Sequence, residues 1–153
     1  MDIRVPTDDE REAVAARLLR PAYRDTEARD PEFSAVEESV VEAEDCSRWL
    51  DDDDRTIFVA YDPEPVGNVS GGVSSSPALY ERGPNCYVDG LYVVPERRRE
   101  GIAGDLLDRM AEWARSRDCE RLSLSVHVDN DAALDFYENH DFETKFHSLR
   151  KRL

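Results

Sequence analysis

One stretch, residues 87–114, constrains the fold of this chain more than any other. It begins with the apolar run 91–94, which is typical of a strand, and passes through Pro95 into the short basic turn 96–101. Apolar residues then recur every three or four positions, which predicts one buried face of a helix; they are Ile102, Leu106, Leu107, Met110, Trp113 and Ala114. A strand that leads through a glycine-containing turn into a helix presents unpaired N–H groups at the positive end of the helix dipole. We therefore predict a site for an anion, suited to a pyrophosphate, where this helix begins.

The charge of the chain bears on its partners. In 153 residues the formal net charge is −15, and the pI is near 4.5. Nucleic-acid binding needs a basic footprint and anionic membranes attract basic segments, so we expect neither partner. An acidic chain whose basic residues are nearly all arginines indicates a halophilic protein, because high salt screens its self-repulsion.

The cysteines and the hydropathy of the chain indicate the cellular compartment in which it works. Cys46, Cys86 and Cys119 are odd in number and lack metal-ligand spacing, which predicts reduced thiols. The first ten residues have no apolar signal region, and no run reaches the length of a membrane span. The four aspartates at 51–54 lack the spaced ligands and glycine of a calcium loop, so no metal site is predicted. We expect a cytoplasmic protein with one domain, residues 1–153.

The order of predicted elements is β-α-α-β-β-β-α-β-α-β. The expected strands are Ile3–Val5, Thr56–Tyr61, Val66–Ser76, Asn85–Val94, Arg121–Val128 and Phe142–Leu149, and the expected helices are Thr7–Arg20, Ser34–Leu50, Ala103–Arg117 and Asn130–Asn139. Thr7 and Glu10 form a capping box, and residues 21–31 are expected to be a polar connection. This order predicts an α/β protein (α+β mixed sheet) with helices on both faces of the sheet.

On chemistry alone, the predicted anion site fits any phosphate-bearing cofactor. It lacks the P-loop pattern and the three spaced glycines of the dinucleotide fingerprint. It does carry Arg98-x-x-Gly101-x-Ala103, followed after the next predicted strand by Asn130 and Tyr137. This combination resembles the GNAT superfamily of N-acetyltransferases, in detail from about residue 85 to residue 142. The first eighty-odd residues agree with that superfamily in element order only.

The resemblance implies a GNAT-like acyl-CoA N-acyltransferase fold with a mostly antiparallel sheet that splays apart between its fourth and fifth strands. It also implies acetyl-CoA as co-substrate. The residues it assigns to acetyl-CoA are Leu91, Val93, Arg98, Arg99, Gly101, Ile102, Ala103, Gly104, Asn130 and Tyr137.

The same resemblance gives these residues their roles. The amides from Arg99 to Gly104 are expected to hold the pyrophosphate. The backbone of Leu91 and Val93, together with Asn130, is expected to bind the pantetheine arm. Tyr137 is expected to lie beside the sulfur and to protonate the leaving thiolate, a role that a phenol within reach can fill.

The general base is not assigned by the resemblance. Tyr87 and Ser125 stand at two positions where members of the superfamily carry a glutamate. Asp89 projects on the same side of its strand as Tyr87 and is the remaining candidate carboxylate. A purely structural Asp89, a water relay and an already neutral amine stay open. Asp141 replaces a common glycine, and we expect it to keep the left-handed turn.

The predicted function is transfer of an acetyl group from acetyl-CoA to a primary amine by direct attack. Ser125 in place of glutamate favours a small-molecule acceptor over a protein N-terminus or lysine. A non-catalytic, acetyl-CoA-binding regulatory module remains the alternative, supported by the missing strand glutamate. A homodimer also stays open.

Overall fold

A computed structural model describes all residues, 1–153. Five strands form one sheet in chain order: β1 (Asp2–Arg4), β2 (Arg55–Tyr61), β3 (Pro65–Ser74), β4 (Asn85–Val93) and β5 (Leu122–Ser123). The helices are α1 (Arg11–Val14), α2 (Arg20–Arg29), α3 (Glu38–Glu42), α4 (Ser47–Leu50), α5 (Ile102–Ser116) and α6 (Asp131–Glu138). The first four strands are antiparallel neighbours, and β5 lies parallel to β4. The predicted mixed sheet with helices is confirmed.

The first helical region, residues 11–29, is longer than the sequence predicted. The predicted capping box is present, with the Glu10 carboxylate accepting from the Thr7 amide at 2.8 Å. Helical structure then continues through a wide π turn, Ala15–Leu19, into α2. The predicted polar connection over 21–31 is therefore wrong. Pro21 cannot donate a backbone hydrogen bond, but it lies in the first turn of α2, where proline is tolerated.

The predicted helix 34–50 is also wrong as a single element. It is divided into α3 and α4, because the chain turns at Cys46, whose φ is 67°. The left-handed region ends a helix for most residues. The turn lets α4 carry Trp49 against the sheet, where only 3% of its surface is exposed.

A bulge in β4 changes which residues face each side of the sheet. Ser70 on β3 pairs with Gly90, whereas Gly71 pairs with Val88, so Asp89 is an extra residue without a partner. An extra residue of this kind bends a strand and re-aims its side chains. Asp89 points to the face that α4 covers, where it contacts Trp49.

The helix α5 covers the opposite face of the sheet. Ile102, Leu106, Met110 and Ala114 are buried, as the three-and-four spacing predicted. Each large apolar side chain buried in this way stabilises the fold by about 1.5–3 kcal/mol. Close packing also needs Gly67 on β3, because an added Cβ would stand 3.2 Å from Leu106 Cδ1. Helices therefore lie on both faces of the sheet.

The sheet opens beyond the first residues of β5. Only Cys86 and Tyr87 of β4 pair with β5, and β4 then runs on to Val93 without a neighbour on that edge. The strand predicted at 121–128 is shortened to Leu122–Ser123, and the strand predicted at 142–149 is absent. Alternating side chains show that a segment suits a sheet, but they do not provide a partner strand within hydrogen-bonding distance. The predicted splay between the fourth and fifth strands is present.

None of the helices combines the length and the apolar composition that a membrane span requires.

Candidate active site

The start of α5 presents a row of unused backbone donors. Gly101 has a φ of 88° and Arg99 a φ of 66°, so the chain turns sharply before the helix. None of the amides from Arg99 to Gly104 donates a hydrogen bond within the chain; the first amide that does so is that of Asp105, to the Gly101 carbonyl. We call these six N–H groups the amide cradle. Consecutive free N–H groups at a helix N-terminus suit an anion with several oxygens, such as a pyrophosphate.

The three neighbouring arginines have different surroundings. Arg97 is paired with Asp62 at 2.8 Å and with Glu100 at 3.0 Å. Arg98 donates from Nε to the Val93 carbonyl at 2.8 Å, which ties the turn back to the end of β4. Arg99 is exposed and has no hydrogen bond or ion pair of its side chain. Of the two arginines predicted to bind the cofactor, only Arg99 has its whole guanidinium available.

The open edge of β4 supplies a second set of backbone groups. The Val94 amide donates to Val66 on β3 at 2.9 Å. Amide direction alternates along a strand, so the amides of Leu91 and Val93 point to the edge that β5 leaves open. An extended chain could add there as a further strand. The backbone of these two predicted residues is therefore placed to pair with an extended ligand, although the Val93 carbonyl is already occupied by Arg98.

The two predicted polar residues of α6, Asn130 and Tyr137, lie at its start and near its end. Asn130 caps the helix, its side-chain oxygen accepting from the Ala133 amide at 3.2 Å. Tyr137 is half-buried between the rings of Phe136 and Phe142, each at a centroid distance of 5.4 Å. Burial raises the pKa of the Tyr137 phenol, and its hydroxyl has no partner in the chain. A tyrosine in this state keeps its proton and can give it to a ligand.

Asp89 is held by two donors that the sequence did not reveal. Its carboxylate accepts from Trp49 Nε1 at 3.0 Å and from Ser70 Oγ at 2.5 Å. Both donors are buried, whereas Asp89 itself is exposed. No spacing rule links residues 49, 70 and 89, because the bulge in β4 and the turn before α4 bring them together. The two donors leave one side of the carboxylate open to solvent.

Tyr87 and Ser125, which stand where members of the superfamily carry a glutamate, are hydrogen-bonded to each other. The Tyr87 hydroxyl donates to Ser125 Oγ at 3.1 Å, across the start of the opening between β4 and β5. Neither residue offers a carboxylate. Asp89 therefore remains the candidate base on β4, two residues from Tyr87.

A groove of about 530 Å³ lies between α2, α3 and α4. At its wall, Tyr23 donates to Glu44 and accepts from Arg48, and the Arg48 guanidinium stacks 4.2 Å from the Trp49 ring. We call it the α2–α4 groove; its lining residues are Tyr23, Val36, Glu37, Ser39, Val40, Val41, Ala43, Glu44, Asp45, Ser47 and Arg48. Through Trp49 this groove adjoins the face of β4 that carries Asp89. Helices α2, α3 and α4 thus enclose a groove whose lining residue Arg48 contacts the indole that bonds Asp89.

Comparison with curated proteins shows related sequences. The chain is 33% identical over 150 residues to an acetyltransferase of Pectobacterium atrosepticum, an alignment that covers 94% of this chain and 89% of the relative. It is 32% identical over 151 residues to an acetyltransferase of Yersinia pseudotuberculosis, covering 95% and 89%.

Solved structures share the fold at lower identity. A mutant BH1408 protein from Bacillus halodurans superimposes with a TM-score of 0.86 at 19% identity, covering 100% of this chain and 99% of that one. The aminoglycoside N-acetyltransferase AAC(6')-Iy, in complex with a bisubstrate analogue, gives a TM-score of 0.77 at 18% identity over 99% and 98%. At these identities the likeness shows the fold alone.

The model of the acetyltransferase (GNAT) family matches residues 16–142, which include the amide cradle, the open edge of β4 and α6. Together with the curated relatives, this match agrees with the motif that begins at Arg98. The chain belongs to the GNAT acetyltransferase family.

Proposed function

We propose that this protein transfers the acetyl group of acetyl-CoA to a primary amine of a small molecule by direct attack. The observation that carries the proposal is the amide cradle, six consecutive free N–H groups beside the open edge of β4. AAC(6')-Iy, which shares the fold, has been captured in complex with coenzyme A. The residues present here fit the same ligand, because Gly101 leaves open space where a side chain would otherwise stand.

The chain provides two distinct parts of a coenzyme A site. The amide cradle and Arg99 hold the pyrophosphate, with the dipole of α5 favouring its charge. The backbone of Leu91 and Val93 pairs with the pantetheine arm along the open edge of β4, and Asn130 binds the same arm. Ile102, Ala103 and Gly104 contribute backbone N–H groups, and the side chain of Ile102 is buried in the core. Arg98 acts indirectly, by fixing the turn to Val93.

When bound, acetyl-CoA supplies an activated thioester. Tyr137 donates the proton that the leaving thiolate needs, a step favoured by a phenol that burial keeps protonated. Asp89 binds the ammonium group of the acceptor and takes its proton. Trp49 and Ser70 hold the Asp89 carboxylate in place for both tasks. Positioning of this kind, rather than a covalent intermediate on the protein, supplies most of the rate enhancement.

The acceptor is a cationic small molecule bound in the α2–α4 groove. Two features support this: the groove adjoins Asp89, and its lining contains Glu37, Glu44 and Asp45 against the single cation of Arg48. AAC(6')-Iy, which shares the fold, is an aminoglycoside N-acetyltransferase. We therefore expect acceptors with more than one amino group to react best.

The proposal is tested first by binding. Isothermal titration calorimetry should show acetyl-CoA binding to the wild-type protein and none to Gly101→Glu, in which a carboxylate enters the amide cradle. Gly83→Glu is the matched control, because Gly83 lies in an exposed loop. A Cβ added there would have its nearest neighbour, the Asp118 carbonyl oxygen, 3.8 Å away. Retained binding in Gly101→Glu would contradict the assignment of the cradle.

Turnover is tested next. Thiol release from acetyl-CoA, followed over monoamines, diamines and aminoglycosides, should rise with at least one of the polyamines. Binding without release for any amine would favour the alternative of a regulatory module. Release only with peptides would favour a protein acceptor.

A further inference from the structure

The imidazole of His140 lies against the first turn of α5. A Cβ added to Gly104 would stand 3.0 Å from His140 Nε2 and 3.7 Å from Cδ2, and outside the first turns of α5 it would meet no other atom within 4 Å. The ring therefore occupies the space that a side chain at residue 104 would fill. Gly104 also contributes one of the six free N–H groups of the amide cradle.

The orientation of this ring is fixed. His140 Nδ1 is 2.8 Å from the Phe136 carbonyl, and the two rings stack at a centroid distance of 4.2 Å. Because a carbonyl only accepts hydrogen bonds, Nδ1 carries the hydrogen. Nε2 is left as the free nitrogen on the side of α5, and no group of the chain bonds it. The residue is exposed, so a ligand can reach it.

We infer that His140 binds a phosphate group of coenzyme A through Nε2, and that Gly104 is small because it admits this ring rather than the ligand. The inference rests on the proposed function, since it places a further contact in the same site. A protonated imidazole donates from both nitrogens, and a phosphate beside it favours that form. His140 and the unpaired Arg99 then flank the amide cradle with two side-chain donors.

Coenzyme A offers two phosphate sources, the pyrophosphate and the 3′-phosphate. Titrating wild type and His140→Ala with coenzyme A and with dephospho-coenzyme A distinguishes them. We expect roughly tenfold weaker binding of coenzyme A to His140→Ala, since a hydrogen bond to a charged group contributes that much. An equal loss with both ligands assigns the pyrophosphate, and a loss with coenzyme A alone assigns the 3′-phosphate. His147→Ala, another exposed histidine, is the control and should bind like wild type.

A double-mutant cycle tests the role given to Gly104. Gly104→Ala should weaken coenzyme A binding because the methyl group displaces the imidazole, yet the melting temperature should rise, since alanine is a better helix former than glycine. In the His140→Ala background the same change should have little effect on binding, because only His140 atoms surround that space.

Two results would overturn the inference. One is wild-type affinity in His140→Ala for both ligands. The other is an equal loss from Gly104→Ala in both backgrounds, which would mean that the ligand itself needs the space. A wild-type protein that binds no coenzyme A would instead overturn the proposed function, and the inference with it.

Discussion

The indole Nε1 of Trp49 donates to the carboxylate of Asp89 at 3.0 Å, joining a buried residue of α4 to the bulge of β4. Ser70 Oγ adds a second bond from β3 at 2.5 Å. The two buried donors fix the orientation of the carboxylate, and its other side is exposed to solvent. This is the arrangement expected of a group that binds a cation and orients it for reaction.

Asp89→Asn should lower kcat/KM for the acceptor amine by at least tenfold, because the variant loses the charge that binds the ammonium group and the site for its proton. The Kd for acetyl-CoA should not change. Steady-state kinetics and calorimetry measure the two quantities, with Asp53→Asn, an exposed aspartate in the turn before β2, as control. Unchanged kinetics in Asp89→Asn would remove Asp89 from the mechanism.

Ser70→Ala should lower kcat/KM several-fold and should have no further effect when Asp89 is already Asn. Ser70 is 1% exposed and its hydroxyl bonds only this carboxylate, so its influence on the reaction should pass through Asp89. The double-mutant cycle measures that coupling. Additive losses would mean that Ser70 acts on the site by another route.

Arg99→Ala and Arg98→Ala should differ in the salt dependence of acetyl-CoA binding. The unpaired Arg99 side chain is expected to contact phosphate, and its loss should weaken binding and flatten the dependence on ionic strength. Arg98 is bonded to Val93, so its loss should weaken binding while the salt dependence is kept. Calorimetric titrations between low and high salt measure both, with Arg115→Ala in the last turn of α5 as control. Identical salt dependence in the two variants would contradict the distinction.

Tyr137→Phe should lower kcat by about 10² without changing the Kd for acetyl-CoA, because it removes the proton donor alone. A general acid must be protonated, and burial raises the pKa of Tyr137 above the ordinary value of about 10. The activity of the wild-type enzyme should therefore not fall through loss of this proton until the pH exceeds about 10. The pH profile of kcat tests this, with the loop residue Tyr80→Phe as control. A loss of activity near pH 8 that disappears in Tyr137→Phe would contradict the expected window.

The three cysteines should be inert in the folded protein. Burial raises the pKa of Cys86 to about 12 and that of Cys46 to about 11, and it also raises the pKa of Cys119. At pH 8 the reactive thiolate is therefore scarce. A colorimetric thiol reagent should react slowly with the native protein and should titrate all three thiols after unfolding. Fast native reaction of one thiol would show an opening that exposes it.

The sequence predicted best where a local rule decides the structure. The spacing from Ile102 to Ala114 fixes one buried face of α5, and a glycine at residue 101 allows the left-handed turn that frees the amides. The turn at Asp141, with a φ of 69°, also formed as expected. These features depend on residues within one or two turns of each other.

The parts that were missed depend on distant residues. Nothing near Pro21 shows that a wide π turn precedes it and that the helix continues. Trp49 and Ser70 meet Asp89 only because a bulge and a left-handed turn occur at separate places in the chain. The alternation at 142–149 describes a segment suited to a sheet, but pairing depends on where another strand ends.

The extra residue in β4 separates the pairing of the sheet from the carboxylate beside it. Without Asp89, Val88 and Gly90 would be consecutive and would still lie opposite Gly71 and Ser70, so β4 would pair evenly with β3. Leu91 and Val93 would keep their partners on β3, whereas Trp49 and Ser70 would lose the carboxylate that they bond. Deletion of the Asp89 codon should therefore remove the candidate base and leave the register of the sheet unchanged, and deletions in the exposed loop 77–84 should affect neither.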